Sequence, residues 1–500
     1  MLQSSRAMSL FRILLVLMIA GITVFAQTNA IETRALSLED CLQIAIEHNL
    51  DVQIKRYNPQ IAQFALDSAY GAYDPNLFVS GGHDFNSSPS GIDPQGRPFP
   101  STETDINRFS TRFDGALPYS GFSYSFGGNI ADSFGTAPEN AQGRIGIFQM
   151  RQPLLKNFWI DNIRLQILLD KKNLKISELD VRSQVMTTVT DVETAYYNLI
   201  FSQESVKVQS KALELANQLV RENKKRVEVG ALAPLDERQA EAQAAASRAD
   251  LLAALGTEDT QQRVLKSLLS DNYSKWKDVS IQPTVAMLAV PGSFNLQDSW
   301  ERGLRSRPDL LQQGLTLEKQ GFQVKYTHNQ LFPQLDLVGD YGYTASASDF
   351  TGALGQYRSR ESPFWSVGAE LSIPLGNRNA RGNYRAAKAS KEQITLQFRQ
   401  LQQNILIQIE NAIATAKTSF QRVDATREAR VYAEAALDAE QKKLESGKST
   451  SFEVLRLQRD LTSARSAEIR ALADYNIALA QIALNEGSTL DRRNVSVDFK

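Results

Sequence analysis

The chain has 500 residues, 55 lysines and arginines against 56 aspartates and glutamates, and one cysteine. A net charge of −1 gives no support for a nucleic-acid partner, and a single cysteine excludes any disulfide within the chain. The length would allow several independent cores, so the internal organisation has to come from the pattern of residues.

Residues 1–26 have the layout of a secretory signal. Arg6 and Arg12 form the positive region, Ile13 to Phe25 the apolar stretch, and Val24-Phe25-Ala26 the small-residue cleavage pattern. The apolar run is too short for a spanning helix. Removing the signal would leave a mature charge of about −3. Cys41 is not placed to carry a lipid anchor.

Two short helices are expected over 38–73, followed by a β region over 76–152. In that region Leu77, Val79 and Phe85 alternate with polar residues, as do Phe109, Thr111 and Phe113, then Phe122, Tyr124, Phe126 and Ile130, then Gly146, Phe148 and Met150. A Pro/Gly-rich loop is expected from Asn86 to Asn107 and a short turn from Pro118 to Gly121. Four strands with long loops at one end and a short turn at the other fit an outer-membrane barrel; a folded-back loop excursion remains the alternative for the extra hairpin. A long helical hairpin is expected over 160–270. No proline lies between Pro153 and Pro234, and Val185, Val192, Leu199, Val206, Leu213, Val220 and Val227 recur every seven residues. Its first arm would be roughly 105 Å long, and the period implies coiled-coil packing. Residues 271–292, with Trp276, Pro283 and Pro291, are expected to form an irregular connector holding at most one short strand.

The elements then recur over 293–487, with 488–500 as a tail. Helices are expected over 296–331, two strands joined by a polar loop over 335–373, and a second long hairpin over 378–486. In the strands, Leu335, Leu337, Gly339, Tyr341 and Tyr343 share one side, and Asp336, Val338 and Asp340 the other. Trp365, Val367, Ala369 and Leu371 likewise oppose Ser366 and Glu370. A soluble sheet with one solvated face has the same period. The second hairpin keeps its column as Ile409, Ala416, Val423, Leu437 and Leu444, broken by Arg430. The recurrence has residue-level register. Leu38, Asp40 and Asp51 fall on Leu296, Asp298 and Asp309 at offset 258, and Gly230 with Leu235-Asp236 falls on Gly447 with Phe452-Glu453 at offset 217. The chain is therefore one duplicated body.

No chemistry-bearing constellation accompanies this architecture. His48, His83 and His328 are scattered and no metal site is expected. Gly447-Lys448-Ser449-Thr450 resembles the end of a phosphate loop, but Lys442 stands where that loop needs glycine. No enzyme activity and no cofactor are expected.

The signal segment, the duplication, the β hairpins and the long helices together resemble the TolC-like outer-membrane efflux protein family. Tyr73-Asp74-Pro75 and Phe332-Pro333 at the strand entries carry the resemblance, with Gln152-Pro153-Leu154 and Ile373-Pro374-Leu375 at the exits, Ala195-Tyr196-Tyr197-Asn198-Leu199, and the two hairpin turns. The resemblance covers residues 36–487. It implies a mainly α fold with a membrane β-barrel portion: helical hairpins form an α-barrel, and strands complete a trimeric β-barrel. It implies a homotrimeric exit duct in the outer membrane, extending into the periplasm and serving efflux or type I secretion. The implied partners are outer-membrane lipid, a periplasmic adaptor (membrane fusion) protein and an inner-membrane pump of the RND, ABC or MFS type. Four strands per chain would follow the family, whereas six at face value would give eighteen per trimer. By position, Val229, Gly230, Ala231, Ser446, Gly447 and Lys448 match the adaptor-contact turns. Asp236, Glu453 and Arg456 fall at the gate, with Glu453 and Arg456 read either as charged rings or as an ordinary i,i+3 surface pair. Asp336, Asp340 and Glu370 are expected in the barrel lumen. A soluble exported coiled-coil scaffold or chaperone is the alternative function.

Overall fold

The computed structural model describes residues 32–496; the signal segment lies outside them. The chain begins with strand β1 (Glu32–Leu36) and helices α1 (Leu38–His48) and α2 (Leu50–Tyr70). Ser37 starts α1. Its hydroxyl accepts from the Asp40 N–H while the Asp40 carboxylate accepts from the Ser37 N–H, satisfying two donors at the helix start. Strands β2 (Asn76–Ser88), β3 (Thr102–Ala116), β4 (Ser123–Gly135) and β5 (Asn140–Pro153) follow, then the hairpin of α3 (Asn162–Glu228) and α4 (Pro234–Leu269). Strand β6 (Val279–Pro283) precedes the second copy: α5 (Leu296–Ser306), α6 (Pro308–Asn329), β7 (Gln334–Ala347), α7 (Phe350–Ser359), β8 (Pro363–Ser372), α8 (Arg378–Glu445) and α9 (Ser451–Glu486).

The chain falls into two compact units, each drawing on both copies. One holds residues up to Asn49, Val192–Leu288 and Thr426–Ala473. Its core includes Leu219, Leu437, Leu444, Val454, Leu455 and Leu461. Here β1 and β6 form a two-stranded parallel sheet. The sequence reading missed β1, because a five-residue strand of mixed polarity carries no periodic signal, while β6 is the one short strand that the 271–292 connector was expected to hold at most. Buried Tyr196 ties this sheet to α3: its hydroxyl donates to the Leu36 carbonyl at 3.0 Å and accepts from the N–H groups of Thr284 and Val285 at 3.2 and 3.4 Å.

The other unit holds Leu50–Asp191, Ala289–Ala425 and the residues from Asp474 onward. Leu310, Ile405, Ile409, Ile413, Ala416, Ala478 and Ile482 form a core where α5 and α6 pack on the middle of α8 and the C-terminal part of α9. This unit contains the main sheet, with six antiparallel strands in the order β8-β7-β5-β4-β3-β2. All four first-copy strands are full members, and the β3–β4 hairpin is no loop excursion. The strands run further than expected. The Asn86–Asn107 segment becomes a shorter loop because its polar ends continue the ladder, Asn86 opposite Thr104 and Ser88 opposite Thr102. The segment expected as a polar loop between the second-copy strands contains α7, which starts at an Asp349 cap whose carboxylate accepts from the Gly352 N–H at 2.6 Å.

The seven-residue column of the second long helix is buried at Ile409, Ala416, Val423, Leu437 and Leu444. At the break, Arg430 reaches across the hairpin to Glu468 at 2.5 Å and along its own helix to Glu434 at 3.0 Å. In α3 the expected column is fully buried only at Val185, Val192 and Leu199. Further on, Ser202, Ala216 and Asn223 take over the buried positions, three residues out of phase. A straight α-helix drifts by about 20° per heptad, so a fixed column leaves the contact line unless the helix supercoils.

Candidate functional site

Cross-strand register sorts every side chain of the main sheet onto one of two faces. One face carries Leu77, Val79, Phe109, Phe113, Phe126, Phe148, Tyr341, Trp365, Val367 and Leu371, and all of these are exposed in the chain. An apolar patch of this extent requires a partner, lipid or protein. The opposite face is polar and ionic. Arg108 pairs with Asp84 at 3.0 Å and Arg112 with Asp114 at 2.6 Å. Arg151 bridges Asp336 at 3.0 Å and Glu370 at 2.5 Å, two carboxylates that stand opposite each other in the β7–β8 ladder. Asp340 accepts from the Ser366 hydroxyl at 2.7 Å and from the Gln149 amide at 3.3 Å. The structure thus brings Asp336, Asp340 and Glu370 onto one polar face. It also changes what they can do. Asp336 is only 2% exposed and is held by Arg151 and Gln334, so it braces three strands rather than presenting a free charge. Sequence reading missed Arg151, which the β5–β7 register places opposite Val338. Its signal was a basic residue alternating into the polar side of an apolar strand.

The second candidate region is the pair of hairpin turns. Both close in the same way. Gly230 has φ +73° and its N–H donates to the Val227 carbonyl, while the Ala231 N–H donates to the Arg226 carbonyl. Gly447 also has φ +73°, with its N–H on the Leu444 carbonyl and the Lys448 N–H on the Lys443 carbonyl. This double closure needs a left-handed residue, which only glycine adopts without strain. Val229, Gly230, Ala231, Ser446, Gly447 and Lys448 are all exposed. Beyond the turns the copies differ. In the first, Pro234 opens α4 and the Asp236 carboxylate accepts from the Ala233 N–H at 3.2 Å, so this candidate gate carboxylate is occupied as a helix cap. In the second, the Glu440 carboxylate pins the turn, accepting from the Ser449 hydroxyl at 2.5 Å and pairing with Lys443; these bonds lower its pKa. Glu453 and Arg456 form an ion pair on one helix at 2.8 Å, which is the surface-pair arrangement. Two residues not flagged by sequence link the turns. Asn223 donates to the Asp236 carbonyl at 3.2 Å, and buried Ser451 donates to the Asn223 side-chain oxygen at 3.0 Å.

The histidines lie in three separate places. His83 faces Asp105 and Asn107, His48 lies 3.6 Å from Asp271, and His328 packs against Phe332 and Tyr384. Cys41 is buried in α1, where burial pushes its thiol pKa up to about 12. No helix among the described residues is long and apolar enough to cross a membrane.

Comparison with known proteins adds the family. The chain is 25% identical over 348 residues to the outer membrane efflux protein BepC of Brucella suis, covering 68% of this chain and 71% of that one. It is 23% identical over 343 residues to the outer membrane protein TolC of Escherichia coli, covering 66% and 68%. The fold matches the solved outer-membrane channel CmeC of Campylobacter jejuni with a TM-score of 0.68 at 16% identity, over 93% of this chain and 90% of that one. It matches the outer-membrane channel OprN with a TM-score of 0.67 at 18% identity, over 90% of each. The sequence profile described as outer membrane efflux protein matches residues 147–270 and 301–487. The two-faced sheet and the long helical hairpins are therefore those of an outer-membrane channel that extends into the periplasm, and the chain belongs to the outer membrane efflux protein family.

Proposed function

We propose that three copies of this chain assemble into a passive exit duct, joined through a periplasmic adaptor to an inner-membrane transporter and gated at its hairpin turns. The observation that carries this reading is the open sheet. Strands β2 and β8 each have an unpaired edge. In lipid every backbone polar group must be satisfied, so these edges must pair with other copies. The polar face then lines the lumen with Asp336, Asp340 and Glu370, and the apolar face meets lipid. A second surface supports assembly. On α2, Leu50, Ile54, Tyr57, Ile61 and Phe64 follow the alternating four-three step of a coiled-coil seam and are 50–68% exposed. The sequence carries no complete phosphate-binding loop, which fits a duct fed by a transporter of the RND, ABC or MFS type. The outer-membrane location sets aside the soluble scaffold.

At the tip, the exposed turns around Gly230 and Gly447 are the adaptor surface. Three Glu453–Arg456 pairs would place alternating charges at the gate, with Asp236 as a cap behind them. Chemical cross-linking of detergent-extracted outer membranes tests the assembly: a heat-sensitive trimer is expected, and a monomer refutes it. Single-channel recording of Glu453→Gln tests the gate, and unchanged cation selectivity removes Glu453 from the constriction.

A further inference from the structure

We infer that the outer-membrane end of this duct is an unplugged barrel of eighteen strands, wide enough for bulky hydrophilic cargo such as a polypeptide chain, so that size selection falls to the hairpin turns. The inference rests on the threefold assembly proposed above.

Three observations lead to it. The first is the continuity of the sheet. Each of β3, β4, β5 and β7 is paired on both sides, from Asn76 opposite Asp114 at one edge to Ser372 opposite Gln334 at the other. The β3–β4 hairpin that enlarges the first copy is thus part of the wall. Barrel circumference scales with strand number. At a tilt of about 40° and a strand spacing of about 4.8 Å, eighteen strands give a backbone diameter of roughly 36 Å, against roughly 24 Å for twelve. Side chains reduce these to open widths of roughly 25 and 13 Å.

The second observation is the position of α7, the ten-residue helix that joins β7 to β8. Ala353 on α7 is buried against Ile130, Ala141 and Ala345, and Tyr357 packs on Tyr343 with ring centroids 6.2 Å apart. Tyr343 and Ala345 share the side of β7 that carries Tyr341, whose ladder partner is Trp365. The helix therefore lies on the apolar face, outside the lumen, and does not plug it. Between β2 and β3, the Gly91–Ile92 and Pro98–Phe99 segments pair only with each other. Their turn is closed by Asp93, which accepts from the Arg97 N–H and side chain.

The third observation is charge. On the polar face Arg108, Arg112 and Arg151 each meet a carboxylate, and Arg144 lies over the Phe364 ring at 5.1 Å. A lumen of paired charges is wetted but holds no strong field of one sign, so it neither excludes nor traps ionic cargo.

The test uses Val338→Cys, a small substitution on the polar face opposite Gly368, in a chain whose own Cys41 is buried. Intact cells are treated from outside with maleimide-polyethylene glycols of graded size. The comparison is the same variant lacking residues 102–135, which leaves β2 free to pair with β5 and makes a twelve-strand barrel. The expected result is a size cut-off for the full-length chain about twice that of the deletion variant, following the ratio of open widths. Equal cut-offs overturn the inference. Should the deletion variant not fold, the strand count in a cryo-electron-microscopy cross-section of the full-length channel decides: eighteen supports the inference and twelve overturns it. The mass of the purified channel separates the two claims. A trimer with a narrow cut-off overturns this inference alone, whereas any other stoichiometry overturns the assembly beneath it.

Discussion

Replacing Tyr196 with phenylalanine tests how the parallel β1–β6 sheet is held to the first long helix. The ring is buried and the substitution keeps its shape, so no cavity forms. What disappears is the hydroxyl. The Thr284 N–H also reaches the Leu36 carbonyl at 3.2 Å, so that donor and that acceptor keep each other. The Val285 N–H loses its hydroxyl acceptor, and the Leu36 carbonyl loses its shortest donor. One lost net hydrogen bond and one stranded amide together cost about 2 kcal/mol. Trp276, which lies 5.3 Å from the Arg34 guanidinium beside β1, is a local fluorescent probe once Trp159, Trp300 and Trp365 are changed to phenylalanine. Urea titration should show the Trp276 transition moving to lower denaturant in Tyr196→Phe. In the same background Tyr432→Phe, at a residue 72% exposed, should leave it in place. A change below about 0.5 kcal/mol in Tyr196→Phe would refute the view that this hydroxyl anchors the sheet.

Other perturbations have equally definite outcomes. Lys266 is 7% exposed and burial lowers its ammonium pKa below the unfolded value, so the unfolded chain holds that proton more tightly. Stability should therefore rise with pH from the lowered folded pKa up to about 10.4, and Lys266→Met should stabilise at neutral pH, with the gain vanishing above that window. Arg430→Ala leaves Glu468 facing the hairpin seam without its shortest partner and should cost about 1–2 kcal/mol in urea titrations, because Arg430 is partly exposed. Arg430→Leu combined with Glu468→Leu completes the apolar column and should recover that loss. Gly447→Ala meets no atom within 4 Å but forces alanine to φ +73°, so a cost of about 1 kcal/mol should appear as faster amide exchange at the turn.

The order of elements, the duplication and the two-faced strands were legible in the sequence because each rests on a local period. Heptads such as Ile409-Ala416-Val423, strand alternation such as Leu335-Leu337-Tyr341, and the turn glycines Gly230 and Gly447 are all satisfied by near neighbours along the chain. Tertiary structure alone decided what depends on pairing across long separations. It made β3 and β4 wall strands, matched β1 to β6, laid α7 on the apolar face and engaged Asp336 with Arg151. It also drew Asn223 and Ser451 together across 228 positions. A residue's period fixes which face it shares; only the register of the neighbouring strand or helix fixes which charge or hydroxyl it meets there.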